Sequence, residues 1–182
     1  MPPTLEFSLT RYPEPVLRKV AEPVEAFDAE LAETVRAMFE LMYRSQGVGL
    51  AAPQVGLRKR ILVLDPAGDP EEADSKPLVL INPALVELSG PQTVFEEGCL
   101  SFPGIFAEVR RPERCRVRAW GLDGQPFEAE YDGFTSRIVQ HEYDHLEGVL
   151  LVDRMSPADK QRHKAALGEL VERYKAAQAG GR

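Results

Sequence analysis

The stretch Gln140-His141-Glu142-Tyr143-Asp144-His145 restricts this chain more than any other. Two imidazoles four residues apart share one face of a helix and can hold a metal ion between them, and the Glu between them can reach a water on that ion. Phe134 and Ile138 continue the same face upstream, so a helix over about Gly133 to Glu147 turns its two imidazoles toward the interior that its apolar residues occupy. A metal held there would face the same interior as the core. With only three His in 182 residues, two of them placed around a Glu at this spacing point to metal chemistry rather than to a decorated surface helix.

Two imidazoles leave a catalytic site one protein ligand short. The extended pattern H-E-x-x-H-x-x-G-x-x-H matches at Gly148, but Leu151 stands where the third His would be. Glu169 or Glu172 offers a carboxylate further on, in a terminal stretch that reads as a solvated amphipathic helix. Cys99, in Glu97-Gly98-Cys99-Leu100-Ser101, is the stronger candidate, because a thiolate binds transition metals tightly and a flanking Gly lets backbone come close. The other cysteine, Cys115, alternates with Val117 and Ala119 on one strand face and reads as a small core residue.

At 43% hydrophobic, the chain can bury one core, and residues 1–182 read as one domain. No apolar run approaches a membrane span, and a net charge of −7 argues against a protein built to wrap nucleic acid. Met1-Pro2-Pro3-Thr4 lacks the basic start and apolar segment of a signal peptide. Two cysteines in a chain of this size need no disulfide, so a reduced, cytoplasmic setting is expected.

Pro2 to Pro23 is punctuated by proline and reads as extended over the surface, with a turn at Arg11-Tyr12-Pro13. Asp28 offers the N-cap of a helix to about Ser45, with Leu31, Val35, Met38, Leu41 and Met42 at helical spacing. Short strands are expected at Arg60–Leu64, Leu78–Ile81, Leu85–Leu88, Val94–Phe95, Ile105–Val109, Cys115–Trp120 and Phe127–Tyr131, with an exposed loop over Asp65–Lys76. A last helix spans about Pro157 to Ala177. A helix, many short antiparallel strands and then further helices give an α+β domain, with an N-terminal and a C-terminal helix.

Gly47-Val48-Gly49-Leu50-Ala51-Ala52-Pro53-Gln54 also carries unusual local chemistry. Its glycines admit close backbone approach and Gln54 supplies an amide that stays neutral at any pH; alone, the segment equally suits a helix C-cap running into a small-residue strand. It does not stand alone. G-x-G-x-A-A-x-Q at Gly47–Gln54, E-G-C-L-S at Glu97–Ser101 and Q-H-E-x-D-H at Gln140–His145 together resemble the signature of the peptide deformylases, in that family's order and over about a hundred residues. The resemblance implies an α+β fold around a helix bearing the metal-binding pair. It also implies removal of the formyl group from the N-terminal formyl-methionine of new polypeptides.

Carried over by position, the resemblance makes Cys99, His141 and His145 the ligands of one divalent ion, with Fe(II) the physiological choice and Zn, Ni or Co acceptable to the same donors. Glu142 becomes the general base and acid, with the Gln54 amide and the Leu100 N–H as donors to the developing oxyanion. The peptide would lie as an added strand between Val48–Gly49 and Gly98, its methionine side chain in a pocket of Val48, Phe95, Phe134, Ile138 and the His141 ring. Arg137 and Phe106 depart from the family's better-known members, which carry an apolar residue beside the pocket and a basic or polar one flanking the substrate. Other classes remain open: an H-E-x-x-H endoprotease with a carboxylate third ligand, or an inactive formyl-peptide- or ribosome-binding relative, against which Glu142 and Gln54 argue.

In the terminal segment, Leu167, Leu170, Val171 and Tyr174 form an apolar stripe. From Asp159 on, Lys160, Arg162, Lys164, Arg173, Lys175 and Arg182 stand against Asp159, Glu169 and Glu172, six cations to three acids. The helix either docks by its stripe as a solvated element or holds the protein near the ribosome through RNA phosphates.

Overall fold

The computed structural model describes residues 4–181. Asp28 caps α1 (Ala29–Arg44) as its sequence foretells: the carboxylate accepts the Leu31 N–H at 3.0 Å, and Leu31, Val35, Met38, Leu41 and Met42 are all buried. The strands β1 (Gly49–Ala51), β2 (Ile61–Leu64), β3 (Leu78–Cys99), β4 (Phe102–Trp120) and β5 (Pro126–Tyr131) form one antiparallel sheet in sequence order. Then follow α2 (Gly133–Leu146), α3 (Leu151–Arg154), α4 (Pro157–Arg162) and α5 (Lys164–Gly180).

β2 shows how the layers are held. All four of its residues are buried: Leu62 and Leu64 pack with Ile138, Val139 and Leu146 of α2, while Ile61 and Val63 pack with Val35, Met38 and Leu41 of α1. Alternation along one strand thus feeds a helix on each face. Each such fully buried aliphatic side chain contributes about 1.5–3 kcal/mol. Cys115 lies in the α2-side cluster, as its strand pattern indicates.

The expected strands Leu78–Ile81, Leu85–Leu88 and Val94–Phe95 are one 22-residue strand, β3, and Ile105–Val109 and Cys115–Trp120 both belong to β4. The turn-forming residues Asn82-Pro83 and Ser89-Gly90-Pro91 suggest strand ends. In the structure they produce register shifts at Ile81/Ala84 and Ser89/Gln92, bends that the long hairpin absorbs as bulges. The terminal helix is also not continuous: it breaks at His163, whose Nε2 donates to Phe106 O at 2.7 Å. Its stripe docks by Leu170, with Leu167 half-buried, against Leu151, Met155 and Ile105.

The Asp65–Lys76 loop is largely exposed, as expected, but tethered by the buried Asp65, which accepts from Tyr43 Oη at 2.8 Å, Ser75 Oγ at 2.7 Å and the N–H groups of Ala67 and Lys76. Burial pushes the Asp65 carboxyl up, and those donors more than offset it, so its pKa falls below the ordinary range. The N-terminal segment expected to run extended from Pro2 to Pro23 does so over residues 4–11 but forms a 3-10 helix at Pro15–Arg18 with Leu17 buried, and Pro2 and Pro3 lie outside the described residues. It crosses beside the candidate site, with Thr10 N–H donating to Gln54 O at 2.7 Å and Tyr12 N–H to Ser101 O at 3.0 Å.

Candidate active site

Three donor atoms converge where α2 meets the tip of the long hairpin. Cys99 ends β3, and its Sγ lies 3.4 Å from His145 Nε2. The ligating atoms of Cys99, His141 and His145 are all within 4.8 Å of one another. His141 Nδ1 sits 3.0 Å from Glu97 Oε1, which turns Nε2 toward the thiol. A carboxylate behind an imidazole fixes its tautomer and raises its basicity, the usual support for a metal-binding His. Burial lowers the His141 pKa, but Cys99 and Glu97 beside it raise it well above the ordinary value; burial and the neighbouring His141 lower that of His145. One soft sulfur and two imidazoles, one already oriented, fit a divalent transition metal.

Glu142 lies beside this group, 4% exposed, with Oε2 buried and unpartnered among the described residues. Burial, with smaller contributions from Glu97 and Asp144, pushes its pKa up to about 7 against the pull of His141 and Arg111. Gly49 makes the space it occupies, since a Cβ there would fall 2.7 Å from both Glu142 Oε1 and Ile138 Cγ2. Gly98 and Gly47 do likewise for the Phe106 ring and Leu100. Gln54 is clamped in the 3-10 turn Ala52–Val55: its Oε1 accepts the Ala51 N–H at 2.9 Å, and its Nε2 donates to Ser101 Oγ at 3.2 Å and Cys99 Sγ at 3.6 Å.

A cavity of about 740 Å³ opens onto these groups and is lined by Val48, Gly49, Phe95, Gly98, Cys99, Leu100, Phe134, Ile138, His141 and Glu142, together with Phe106 and Arg137. Gln54 and His145 do not line it; they stand behind Cys99. The alternative third ligands Glu169 and Glu172 are exposed on α5 and paired with Arg173 and Lys175. Arg137 does stand beside the pocket, but its guanidinium turns inward.

The sequence reading assigned no role to the buried ionic network behind the site. Arg111 of β4 holds Glu97 with Nε at 2.8 Å and Nη2 at 3.0 Å, and reaches Asp144 with Nη1 at 2.9 Å. Asp144 also receives Arg154. One signal was available: Glu97 is two residues from Cys99 in a strand and so shares its face.

The polypeptide deformylase family model matches residues 7–161. The chain belongs to the polypeptide deformylase family. Within that family it is 48% identical to the peptide deformylase of Chromobacterium violaceum, over 88% of this chain and 93% of the relative. It is 43% identical to the chloroplastic/mitochondrial peptide deformylase 1B of Arabidopsis thaliana over 91% of this chain, but spans only 60% of that relative's length. A plant peptide deformylase crystal structure superposes with TM-score 0.92 at 42% identity, covering 95% of this chain and 93% of the other. That of Thermotoga maritima superposes at 0.77 and 44%, covering 84% and 99%.

Proposed function

We propose that this chain hydrolyses the N-terminal formamide of newly made formyl-methionyl polypeptides, with a divalent ion held by Cys99, His141 and His145 and with Glu142 as proton carrier. The observation that carries this reading is the meeting, at one cavity, of a thiol–imidazole donor set and a buried carboxylate with an unpartnered oxygen. A divalent ion bound there supplies Lewis acidity, bringing the pKa of a water from about 15.7 toward about 7. Glu142 takes a proton from the water that attacks the formyl carbon. As the carbon–nitrogen bond breaks, it delivers that proton to the departing amine, leaving formate and a free N-terminus. The burial of Glu142 beside the donor set, with Oε2 unpartnered among the described residues, places it to do both. The Leu100 N–H and the Gln54 amide are the donors assigned to the developing oxyanion, the amide reaching it only by turning from Ser101 Oγ and Cys99 Sγ, and loss of one such donor typically costs about 3 kcal/mol.

Sheet topology supports the binding mode. Among the described residues, β1 ends the sheet with one edge unpaired and the stretch of β3 near Gly98 pairs only with β4, so both offer edges at the cavity. An extended peptide can bond to Val48–Gly49 and Gly98 through its backbone, which tolerates varied sequences. Its first side chain then meets Phe95, Phe134 and Ile138. Such a pocket discriminates by about 1–3 kcal/mol per methylene.

The ion is assigned as Fe(II), with Zn, Ni or Co accepted by the same donors. Protein purified without oxygen and loaded with Fe(II) should release formate from a formyl-Met peptide, then lose activity in air as iron and Cys99 oxidise, whereas the Ni or Co form keeps it. An Fe(II) form whose turnover survives air would overturn the assignment, and absence of formate release from every metal form would overturn the activity.

No helix among the described residues is long and apolar enough to cross a membrane. The two free thiols, Cys99 and Cys115, support a reducing compartment, assigned here as the cytoplasm.

The terminal helix is assigned a ribosome contact. Arg162, Arg173 and Lys175 are neutralised by neighbouring acids, so the contact falls to Lys160 and Lys164, which make no ion pair among the described residues; Arg182 lies outside them. Removing the residues after Ser156 should abolish salt-sensitive co-sedimentation with ribosomes and leave hydrolysis of a short formyl-Met peptide largely intact. Equal co-sedimentation of both forms would leave the helix a packing role.

A further inference from the structure

Arg137 is a buried cation to which the proposed chemistry assigns no part. It lies one helical turn before His141 on α2 and is 7% exposed. Its Nη1 donates to Glu97 Oε2 at 2.8 Å and to Val109 O at 3.0 Å, and its Nη2 donates to Thr93 O and Thr93 Oγ1, both at 3.0 Å. The guanidinium carbon also lies 5.4 Å from the centroid of the Phe95 ring, and that ring sits 5.8 Å from the ring of Phe134.

Two functions meet on this one group. Glu97 is the carboxylate whose other oxygen holds His141 Nδ1, and Phe95 with Phe134 forms a wall of the cavity. We propose that Arg137 is a positioning residue that ties the wall of the first-residue pocket to the carboxylate orienting His141. A single guanidinium then sets both side-chain selection and ligand geometry. The proposal rests on the deformylase reading for the identity of that pocket.

Charge balance alone does not account for Arg137. Arg111 already grips both oxygens of Glu97, so the carboxylate is paired without a second cation. What Arg137 adds is geometry. Its planar fork holds the β3 backbone two residues before Phe95 and the β4 backbone at Val109, while its face carries the Phe95 ring. A lysine has the charge but neither the fork nor the face, so the two are not interchangeable here. Phe95 is half exposed, and its ring is set at the cavity wall between the Arg137 guanidinium and the Phe134 ring.

The test compares wild type, Arg137→Met, Arg137→Lys, Phe95→Ala and the Phe95→Ala/Arg137→Met double variant. Two quantities are read: the ratio of kcat/KM for formyl-Met and formyl-Ala tripeptides, and the affinity of metal-free protein for Co(II), followed by the thiolate-to-cobalt absorption. Arg137→Met should lower the selectivity ratio at least about fivefold, since the pocket wall is no longer held. It should weaken Co(II) binding by about 10- to 100-fold, as loss of an outer support of a metal ligand does. In the Phe95→Ala background, Arg137→Met should leave the ratio unchanged and still weaken Co(II).

Arg137→Lys should recover little of either. Wild-type values of both quantities in a folded Arg137→Met protein would overturn the proposal, as would a fall in one with the other unmoved. If Arg137→Met does not fold, Arg137→Lys decides: wild-type ratio and wild-type Co(II) affinity overturn it. Failure of wild type to cleave either peptide would instead overturn the deformylase reading, and the Co(II) measurement would still report on Glu97 and His141.

Discussion

Replacing Glu142 by glutamine is expected to leave the fold and the donor set in place while kcat for a formyl-Met peptide falls by at least about 10²-fold. The two side chains have nearly the same shape, and the space that Gly49 leaves for one fits the other. An amide cannot take a proton from water or return it to an amine, so the loss falls on kcat rather than on metal content.

The same substitution has a stability signature with a definite sign. Burial raises the folded-state pKa of Glu142 from 4.5 to about 7 in the metal-free protein, so the folded state holds a proton that the unfolded state has released. Stability associated with this group is therefore lost as pH rises from 4.5 through about 7, and stays lost above it. Metal-free Glu142→Gln lacks that loss, and its urea midpoint should decline less than that of wild type over this range. Near-normal turnover by the metal-loaded variant would sink the proton-carrier role. A midpoint that falls in parallel with wild type would sink the burial argument.

How much of this was legible in the sequence depends on the distance over which each feature is encoded. The faces of α1 and α2 repeat every turn, and the spacing of His141 and His145 carries its own geometry, so both were readable from neighbouring letters. Cys99 was reachable because the pair needed a third donor and few residues could supply one. The extent of β3 and β4 was not readable, because Asn82-Pro83 and Ser89-Gly90-Pro91 have turn composition and only cross-strand pairing shows that they are bulges. The break at His163 coincides with a hydrogen bond to Phe106, a residue 57 positions away, which no neighbouring letter announces.

The ionic network was hidden for a related reason. Charged residues read singly look like surface, and Arg111 is brought to Glu97 only by the hairpin register that sets Thr93 opposite Arg111 and Phe95 opposite Val109. A slip of one residue would send Arg111 to the other face of the sheet. Gln54 lies behind Cys99, a position that its motif does not convey.

Arg111→Met is expected to cost about 3–5 kcal/mol of folding stability, the usual consequence of removing one partner from a buried ion pair. Arg111 is almost wholly buried and, among the described residues, alone bonds both Glu97 and Asp144. Met fills much of its volume, so the loss comes from the carboxylates rather than from a cavity. Arg137 still reaches Glu97 and Arg154 still reaches Asp144, which places the expectation at the lower end of that range.

The pH dependence fixes the sign. Burial raises the Glu97 pKa, but its bonds to His141 and Arg111 more than offset this and hold it well below the ordinary 4.5. The stabilisation is thus complete above about 4.5 and is lost as pH falls toward the folded-state value. Without Arg111 the folded-state pKa moves back up, so acid unfolding should begin at a higher pH than in wild type. Glu97 also orients His141, so Co(II) affinity should fall with stability, by about 10- to 100-fold. Urea unfolding of metal-free protein across the acid range measures the first two effects. A stability change below about 1 kcal/mol, within reach of an exposed ion pair, would show that Arg111 holds the site no more firmly than surface charge does.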